Sequence, residues 1–494
     1  MRYAAPHMTE RILRYLTGAA GLLFLVIGLG LLTRPGVQAA MFAVFPSGNA
    51  GLSTLRADLA GLFFGMGTFT VAGAALASVE LLTVPATLLA FIAGGRLINL
   101  VADGTTPDAI RSLVIEVVVL ALLGLTMRSL RRGEPRRMRA LVVLPLVAGV
   151  LLTGAWLLQR QAGLMLVRRF VDSGMNNRLV ESLPDGLHVA LCGTGSPMPD
   201  RTRSGPCVAV IAGRHVYVVD VGEGGPRTLA LMGVQPWLVD GVFLTHFHSD
   251  HIGGLGELML QRWASGSHHD QTPVYGPQGV ELVVQGFNLA YTLDKGYRVA
   301  HHGETTVPPS GSGGEARPFT LAPDSTASQV LLEQDGVRVT AFPVEHTPVF
   351  PAVGYRFDYG GRSVVISGDT APTPLLAKAA TGADVLFHEG LQVTMVRELE
   401  EGAVRNGRAP MAKISHDIPT YHTRPEDAAT LATQAGVKQL VFYHTIPPLP
   451  VSYLNAAFLG DAPTLFKGPI TVSTDGLVVS LPAHSTEISQ RNVL

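Results

Sequence analysis

A chain of 494 residues exceeds one ordinary domain, and its 47% hydrophobic against 15% charged residues averages over two unlike halves. No lysine occurs before Arg160, and only 13 of the 37 basic and 7 of the 38 acidic residues lie there. The remainder holds 24 basic and 31 acidic residues, a net charge of −7, and lacks the basic footprint of a polyanion-binding domain.

Five apolar stretches fill the first half: Arg11–Thr33, Leu59–Ala77, Leu81–Ala102, Leu113–Met127 and Ala140–Gln159. Each approaches the roughly 20 residues that cross a bilayer, the fourth only with its flanks. Pro85, Gly94, Gly95 and Arg96 interrupt the third. The expected organisation is a four-helix transmembrane unit (1–133), a fifth transmembrane helix (134–160), a linker (161–185) and a soluble domain (186–494). Arg128, Arg131, Arg132, Arg136, Arg137 and Arg139 crowd the loop before the fifth stretch, which the positive-inside rule keeps cytoplasmic. One further crossing places everything after Gln159 outside the cytoplasm, with Arg160, Arg168 and Arg169 weighing mildly against it. Glu116 is the ionisable residue within the spans that most needs a reason, and an interhelical pair with Arg96 supplies one.

From Leu187 the pattern changes to short apolar runs ended by Gly, Pro and Asp. His188–Leu191, Val208–Ile211, Val216–Val219 and Val242–Leu244 read as strands, followed by a helix from about Ile252 to Trp263. Thr305–Ser328, rich in Gly, Pro, Ser and Thr, reads as a mobile loop. Strands Val337–Phe342, Gly354–Phe357, Ser363–Ile366, Val385–Phe387 and Leu440–Tyr443 then run with helices Thr373–Ala380 and Pro425–Ala435, which suggests a layered α/β domain. Cys192 and Cys207 are the only cysteines, and whether they pair stays open.

The chemistry concentrates in Thr245-His246-Phe247-His248-Ser249-Asp250-His251, directly after a strand. Three imidazoles and a carboxylate suit a pair of borderline cations. Alternation along an extended loop aims His246 and His248 at one point, while Asp250 and His251, opening a helix, aim at another. His346, Asp369, His388, Glu389 and His444 each sit at the end of a later apolar run.

Further motifs follow in a fixed order: Gly193-Thr194-Gly195-Ser196-Pro197, Arg203-Ser204-Gly205-Pro206, Asp220 in Val-Val-Asp-Val-Gly, Tyr275-Gly276-Pro277, Gly354-Tyr355-Arg356, Ser367-Gly368-Asp369-Thr370 and His422-Thr423. With these, the chain from Leu187 onward resembles the metallo-β-lactamase superfamily, in the branch of ribonuclease Z and the zinc-dependent arylsulfatases. The resemblance implies an αββα sandwich, here preceded by an all-α bundle of about five transmembrane helices. It implies two divalent cations, Zn²⁺ by default, with Mn²⁺ and Fe²⁺ fitting the same ligands. His246, His248 and His346 would hold one, Asp250, His251 and His444 the other, and Asp369 would bridge them. Asp220 would orient the ligand loop through hydrogen bonds. A metal-bound hydroxide would be the nucleophile and Asp250 its proton acceptor. His422, its tautomer held by Glu389, would protonate the leaving oxygen, with His416 a competitor for that role. Arg203, and Arg298 within Asp294–Gly303, a segment that resembles one in the arylsulfatase-like branch, are candidate contacts to an anionic substrate.

The tRNA-processing members insert an arm between the Gly-Tyr-Arg strand and the Ser-Gly-Asp-Thr strand. Here only Phe357–Arg362, a hairpin-sized connection, stands at that place. The sequence therefore puts first a di-metal hydrolase of a small sulfate or phosphate ester, arylsulfatase-like, anchored in lipid. It would be a multi-pass protein of a bacterial inner membrane, with its soluble domain periplasmic. Nucleic acid is disfavoured as a partner. A ribonuclease Z-like phosphodiesterase comes second, and a non-enzymatic metal-bound sensor coupled to the helices third.

Overall fold

The computed structural model describes residues 8–40, 42, 44, 46, 48–102, 107–131, 159–175, 178–321 and 328–494. The chain divides into two compact units, Met1–Phe170 and Val171–Leu494.

In the first unit, Met8–Thr33, Gly48–Ala75, Val79–Leu100 and Ile110–Leu130 are long and apolar enough to cross a membrane. The expected fifth span, Ala140–Gln159, lies almost wholly outside the described residues. Residues 159–175 are helical where a connector was expected, because no proline interrupts that run. Small residues seam the first two helices together. A Cβ on Gly21 would lie 2.9 Å from Val71 N, and one on Gly67 2.8 Å from Gly21 O, so only glycine permits the approach. Arg14 donates at 2.8 Å to the carbonyls of Ala74 and Ala75, closing a helix end. The third helix runs unbroken through Pro85 and both glycines. The expected pair forms, with Arg96 Nε 2.5 Å from Glu116 Oε1.

The second unit is a sandwich of two sheets. The first has the order β15 (Ser489–Asn492), β14 (Leu477–Pro482), β1 (Gly186–Gly193), β2 (Cys207–Ala212), β3 (His215–Val221), β4 (Val239–Phe243), β5 (Thr272–Pro277), β6 (Gly314–Phe319). The second runs β13 (Ile470–Val472), β12 (Gln439–Ile446), β11 (Val385–Leu391), β10 (Arg362–Ile366), β9 (Val353–Tyr359), β8 (Val337–Pro343), β7 (Gln329–Gln334).

Side-chain alternation explains the layers. Val208, Val210, Val441 and Tyr443 join the core between the sheets. Ala209 and Ile211 pack outward with Leu255 and Leu258 of helix Leu255–Gly266. Leu440 and Phe442 pack outward with Ala428 and Leu431 of helix Pro425–Ala435. Strands covered on both faces need continuous apolar runs, which is why their sequence reads as such.

Three details bear on the expectations. Cys192 and Cys207 form a disulfide between β1 and β2, with Cα atoms 5.0 Å apart. The segment expected as a mobile loop contains β6, paired in parallel with β5, a pairing its Gly and Pro content hides. β9 and β10 are joined through Gly360 and Gly361 (φ +57° and +75°), a two-residue hairpin with no room for an arm.

Arg362 is buried and its Nε lies 3.0 Å from Asp384 Oδ2. Its Nη1 donates to the carbonyls of Pro482 and Glu487, tying the second sheet to the end of the first. Removing the carboxylate leaves a buried cation without its counter-charge. Asp384→Ala is expected to lower the stability of the sandwich by about 3–5 kcal/mol, read as a shifted urea midpoint with unchanged slope.

Candidate metal centre

The candidate residues meet at one edge of the sandwich because strand ends and two backbone irregularities deliver them there. Asp220 has φ +55°, where the β2–β3 register skips between Val208↔Val219 and Cys207↔Val221. His444 has φ +46°, where the β11–β12 register skips between His388↔Phe442 and Gly390↔Thr445. A bulge re-aims one side chain, and a left-handed non-glycine residue costs of order 1–3 kcal/mol. The cost falls on two residues of the cluster or its support. Gly368, at φ +63°, brings Asp369 in after β10; a Cβ there would lie 2.8 Å from Val353 O and 2.9 Å from Thr245 Cβ.

Asp220 anchors the His246–His251 loop. It accepts from Thr245 N, Thr245 Oγ1 and His251 Nδ1, each at 2.8 Å. His251 therefore turns Nε2 inward. His346 Nδ1 is 2.9 Å from the carbonyl of Tyr421, which turns its Nε2 inward as well. His246 Nε2 and His248 Nδ1 face each other at 3.0 Å.

Two groups result: His246, His248, His346 and Asp369, and Asp250, His251 and His444, with ligand atoms in each within 4.8 Å of one another. Asp369 Oδ2 joins them. It lies 3.4 Å from His251 Nε2, 3.5 Å from His444 Nε2, 3.9 Å from His246 Nε2 and 4.0 Å from His346 Nε2. His251 Nε2, His346 Nε2 and Asp369 Oδ1 are buried without a hydrogen-bond partner among the described residues. Orphaned imidazole nitrogens and a carboxylate converging on one point fit a pair of divalent cations.

Burial works against the Asp369 carboxylate, yet His444, His251 and His246 hold it well below the usual carboxylate range. Burial pushes His346 down to about 4, which leaves the neutral ring that a metal requires.

His422 stands beside both groups, its ring 5.3 Å from that of His346 and 5.9 Å from that of His444. Its Nδ1 is 3.3 Å from Glu389 Oε1. Burial moves the two toward neutrality, His422 down to about 4 and Glu389 well above the usual range. Glu389 Oε1 also accepts from Thr423 N at 2.7 Å. The segment Tyr421–Thr423 is thus tied to the cluster on both sides of His422. Sequence reasoning overlooked Thr245, the Tyr421 carbonyl, and Tyr355, whose hydroxyl donates to Leu244 O at 2.6 Å. Thr245 and Tyr355 had a signal, one at the head of the histidine run and the other within Gly354-Tyr355-Arg356.

Three expected substrate contacts are not brought to the cluster. Arg203 has a side chain only 4% exposed. Its Nη1 and Nη2 donate to the carbonyls of Leu449 and Ser473, so it ties loops together. Arg298 pairs along its own exposed helix, Nε 2.6 Å from Asp294 Oδ2. His416 is exposed and lies 3.1 Å from Glu400 Oε1. His388 is fully buried, with Nδ1 2.7 Å from the Glu389 carbonyl.

The family model described as the metallo-beta-lactamase superfamily matches residues 200–404. A protein named ribonuclease Z from Mycolicibacterium gilvum is 37% identical over 265 residues, covering 53% of this chain and 85% of its own. A ribonuclease Z from Mycobacterium bovis is 35% identical over 291 residues, covering 58% of this chain and 96% of its own. The short form of human tRNase Z is 20% identical with a TM-score of 0.44, over 60% of this chain and 99% of that one.

Proposed function

The chain belongs to the metallo-β-lactamase superfamily, and on that premise we propose that this metal-dependent hydrolase is a membrane-anchored phosphodiesterase of ribonuclease Z type. The arylsulfatase-like reading that the sequence put first gives way to its alternative. Relatives matching over 85% and 96% of their own length are named ribonuclease Z, and none of that support reaches a small anionic ester. The expectation against nucleic acid is corrected on the same ground.

The observation that carries the two-metal chemistry is Asp369 Oδ2, within 3.4–4.0 Å of four imidazoles from both groups, and the choice of the phosphodiester rests on the ribonuclease Z relatives. His246, His248 and His346 would hold one cation, Asp250, His251 and His444 a second, and Asp369 would serve both. Two bound divalent cations supply Lewis acidity at a phosphoryl oxygen and a more acidic water at neutral pH. Asp250, its Oδ2 3.3 Å from His444 Nε2, would take a proton. His422, its Nδ1 3.3 Å from Glu389 Oε1, would give one to the leaving oxygen. The two-residue β9–β10 turn and the net charge of −7 after Gln159 point to a short RNA end or other small diester in preference to a folded tRNA.

The test is hydrolysis of bis(p-nitrophenyl) phosphate, p-nitrophenyl phosphate, p-nitrophenyl sulfate and a short single-stranded RNA by the full-length protein, with and without chelator. The diester and the RNA are expected to be cleaved, and chelator to reduce both to background. Preference for the sulfate would restore the arylsulfatase-like order.

The same reading places the hydrolase unit outside the cytoplasm of a membrane crossed by the N-terminal helices. The arginine-rich loop followed by the apolar stretch Ala140–Gln159, read from the sequence as one further crossing, and a disulfide, which persists in oxidising compartments, support it. A reporter fused after Leu494 is expected to be active only when it requires export, and activity of a cytoplasmic reporter would reverse the topology.

A further inference from the structure

A tether needs one helix, and the described residues of the first unit form four that enclose something. A cavity of about 360 Å³ lies among them, walled by Phe24, Phe63, Ile92 and Ile115, one from each helix, and by Arg96 and Glu116. That volume is within the range of pockets that hold small ligands. The wall is apolar except for the ion pair and Ser112, and the pair is not self-contained. Glu116 is 11% exposed at its side chain, and Oε1 takes the Arg96 Nε. Oε2 is buried and has no hydrogen-bond partner among the described residues. A buried carboxylate oxygen without a donor is costly, more so in a bundle surrounded by hydrocarbon. Arg96 already offsets the charge and the Ser112 hydroxyl in the wall does not bond Oε2, so what Oε2 lacks is a neutral donor.

We propose that the four-helix unit binds a lipid-soluble molecule with an uncharged hydroxyl head, its tail among Phe24, Phe63, Ile92 and Ile115 and its hydroxyl donating to Glu116 Oε2. The proposal rests on these helices spanning a bilayer and is independent of the hydrolase chemistry. The charge of the site selects the head. An ammonium group would meet Arg96 as well as Glu116, a carboxylate would face Glu116, and a hydrocarbon would leave Oε2 unsatisfied. Neither an anionic nor a cationic amphiphile suits a pair that is neutral overall, whereas an alcohol makes the missing bond at no cost in charge.

Full-length protein in detergent, titrated with 1-dodecanol, dodecane, dodecanoate and dodecylammonium, tests this, with retained probe counted by native mass spectrometry. One equivalent of dodecanol is expected to be held at least about tenfold more tightly than the other three, the worth of one hydrogen bond to a charged group. Equal retention of dodecane, or no retention of any probe, would overturn the proposal. Tighter retention of the carboxylate or the ammonium would also overturn it, since one half of the pair would then act alone. Glu116→Gln removes the charge that neutralises Arg96 and turns an acceptor into a donor. It is expected to move the preference from the alcohol to the carboxylate, a change that a merely structural pair would not produce. Because the probe series is run on the unaltered protein, the outcome does not depend on that variant folding.

Discussion

Asp369→Ala is expected to cut turnover by about 10³–10⁴-fold and to reduce bound metal to one equivalent or none. Oδ2 of this one residue lies 3.4 and 3.5 Å from His251 and His444, and 3.9 and 4.0 Å from His246 and His346. Without it the two groups share no ligand, and Asp250 remains the single carboxylate among five imidazoles. The loss should therefore exceed that of removing any one histidine, which would weaken one group only. Elemental analysis of the purified variant beside initial rates on bis(p-nitrophenyl) phosphate checks both halves. Two equivalents of metal with an unchanged rate would show that the groups work separately. Asp369→Asn, which keeps the shape and removes the charge, should behave like the alanine variant if the anionic oxygen is what counts.

The sequence exposed much of this site because its residues follow short apolar strands. His246–His251 come directly after β4, Asp369 follows β10 and His444 lies within β12. Such runs are visible because both sheet faces are covered and the strands are apolar throughout. What stayed hidden depends on partners far along the chain. β6 (GEARPF) reads as loop because it is an edge strand with Glu315, Arg317 and Pro318 exposed, and its pairing with β5 is not a local property. The support of the cluster is hidden for the same reason, since the carbonyl of Tyr421 orients His346 from 75 residues away and no side-chain identity announces it. Arg203 shows the opposite error. A motif arginine near the site suggested an anion contact, and only the fold reveals that the carbonyls of Leu449 and Ser473 occupy it.

The order of the functional readings turned on similar grounds. Absence of the arm and an acidic soluble unit describe how a substrate is gripped, and say little about which bond is cut. The ligand set and the His422–Glu389 pair bear on the bond, and they are common to both branches named from the sequence. Only likeness over most of the relatives' length separated the two, and it favoured the phosphodiester. The matches to those relatives cover 53% and 58% of this chain, and four helices long and apolar enough to cross a membrane stand beside the hydrolase unit in the sequence.

His422→Ala is expected to retain two equivalents of metal while slowing the chemical step by about 10²–10⁴-fold, the usual span for a proton-transfer group. Metal should stay because the neighbouring contacts are made by main chain: Tyr421 O with His346 Nδ1, and Thr423 N with Glu389 Oε1. Truncating the imidazole leaves both intact. The rate should fall because Nδ1 is turned toward Glu389 at 3.3 Å, leaving the other ring nitrogen to serve the substrate. Single-turnover rates on the diester, with metal content measured in the same sample, separate the two effects. Glu389→Gln should cost less alone, and little more when added to His422→Ala, since the two would act through one proton. A full rate in His422→Ala would transfer the role to water or to His416, whose exposed ring, 3.1 Å from Glu400, would then have to swing toward the cluster. His416→Ala in that background would decide between them, abolishing the residual rate if His416 had taken over and leaving it untouched if water had.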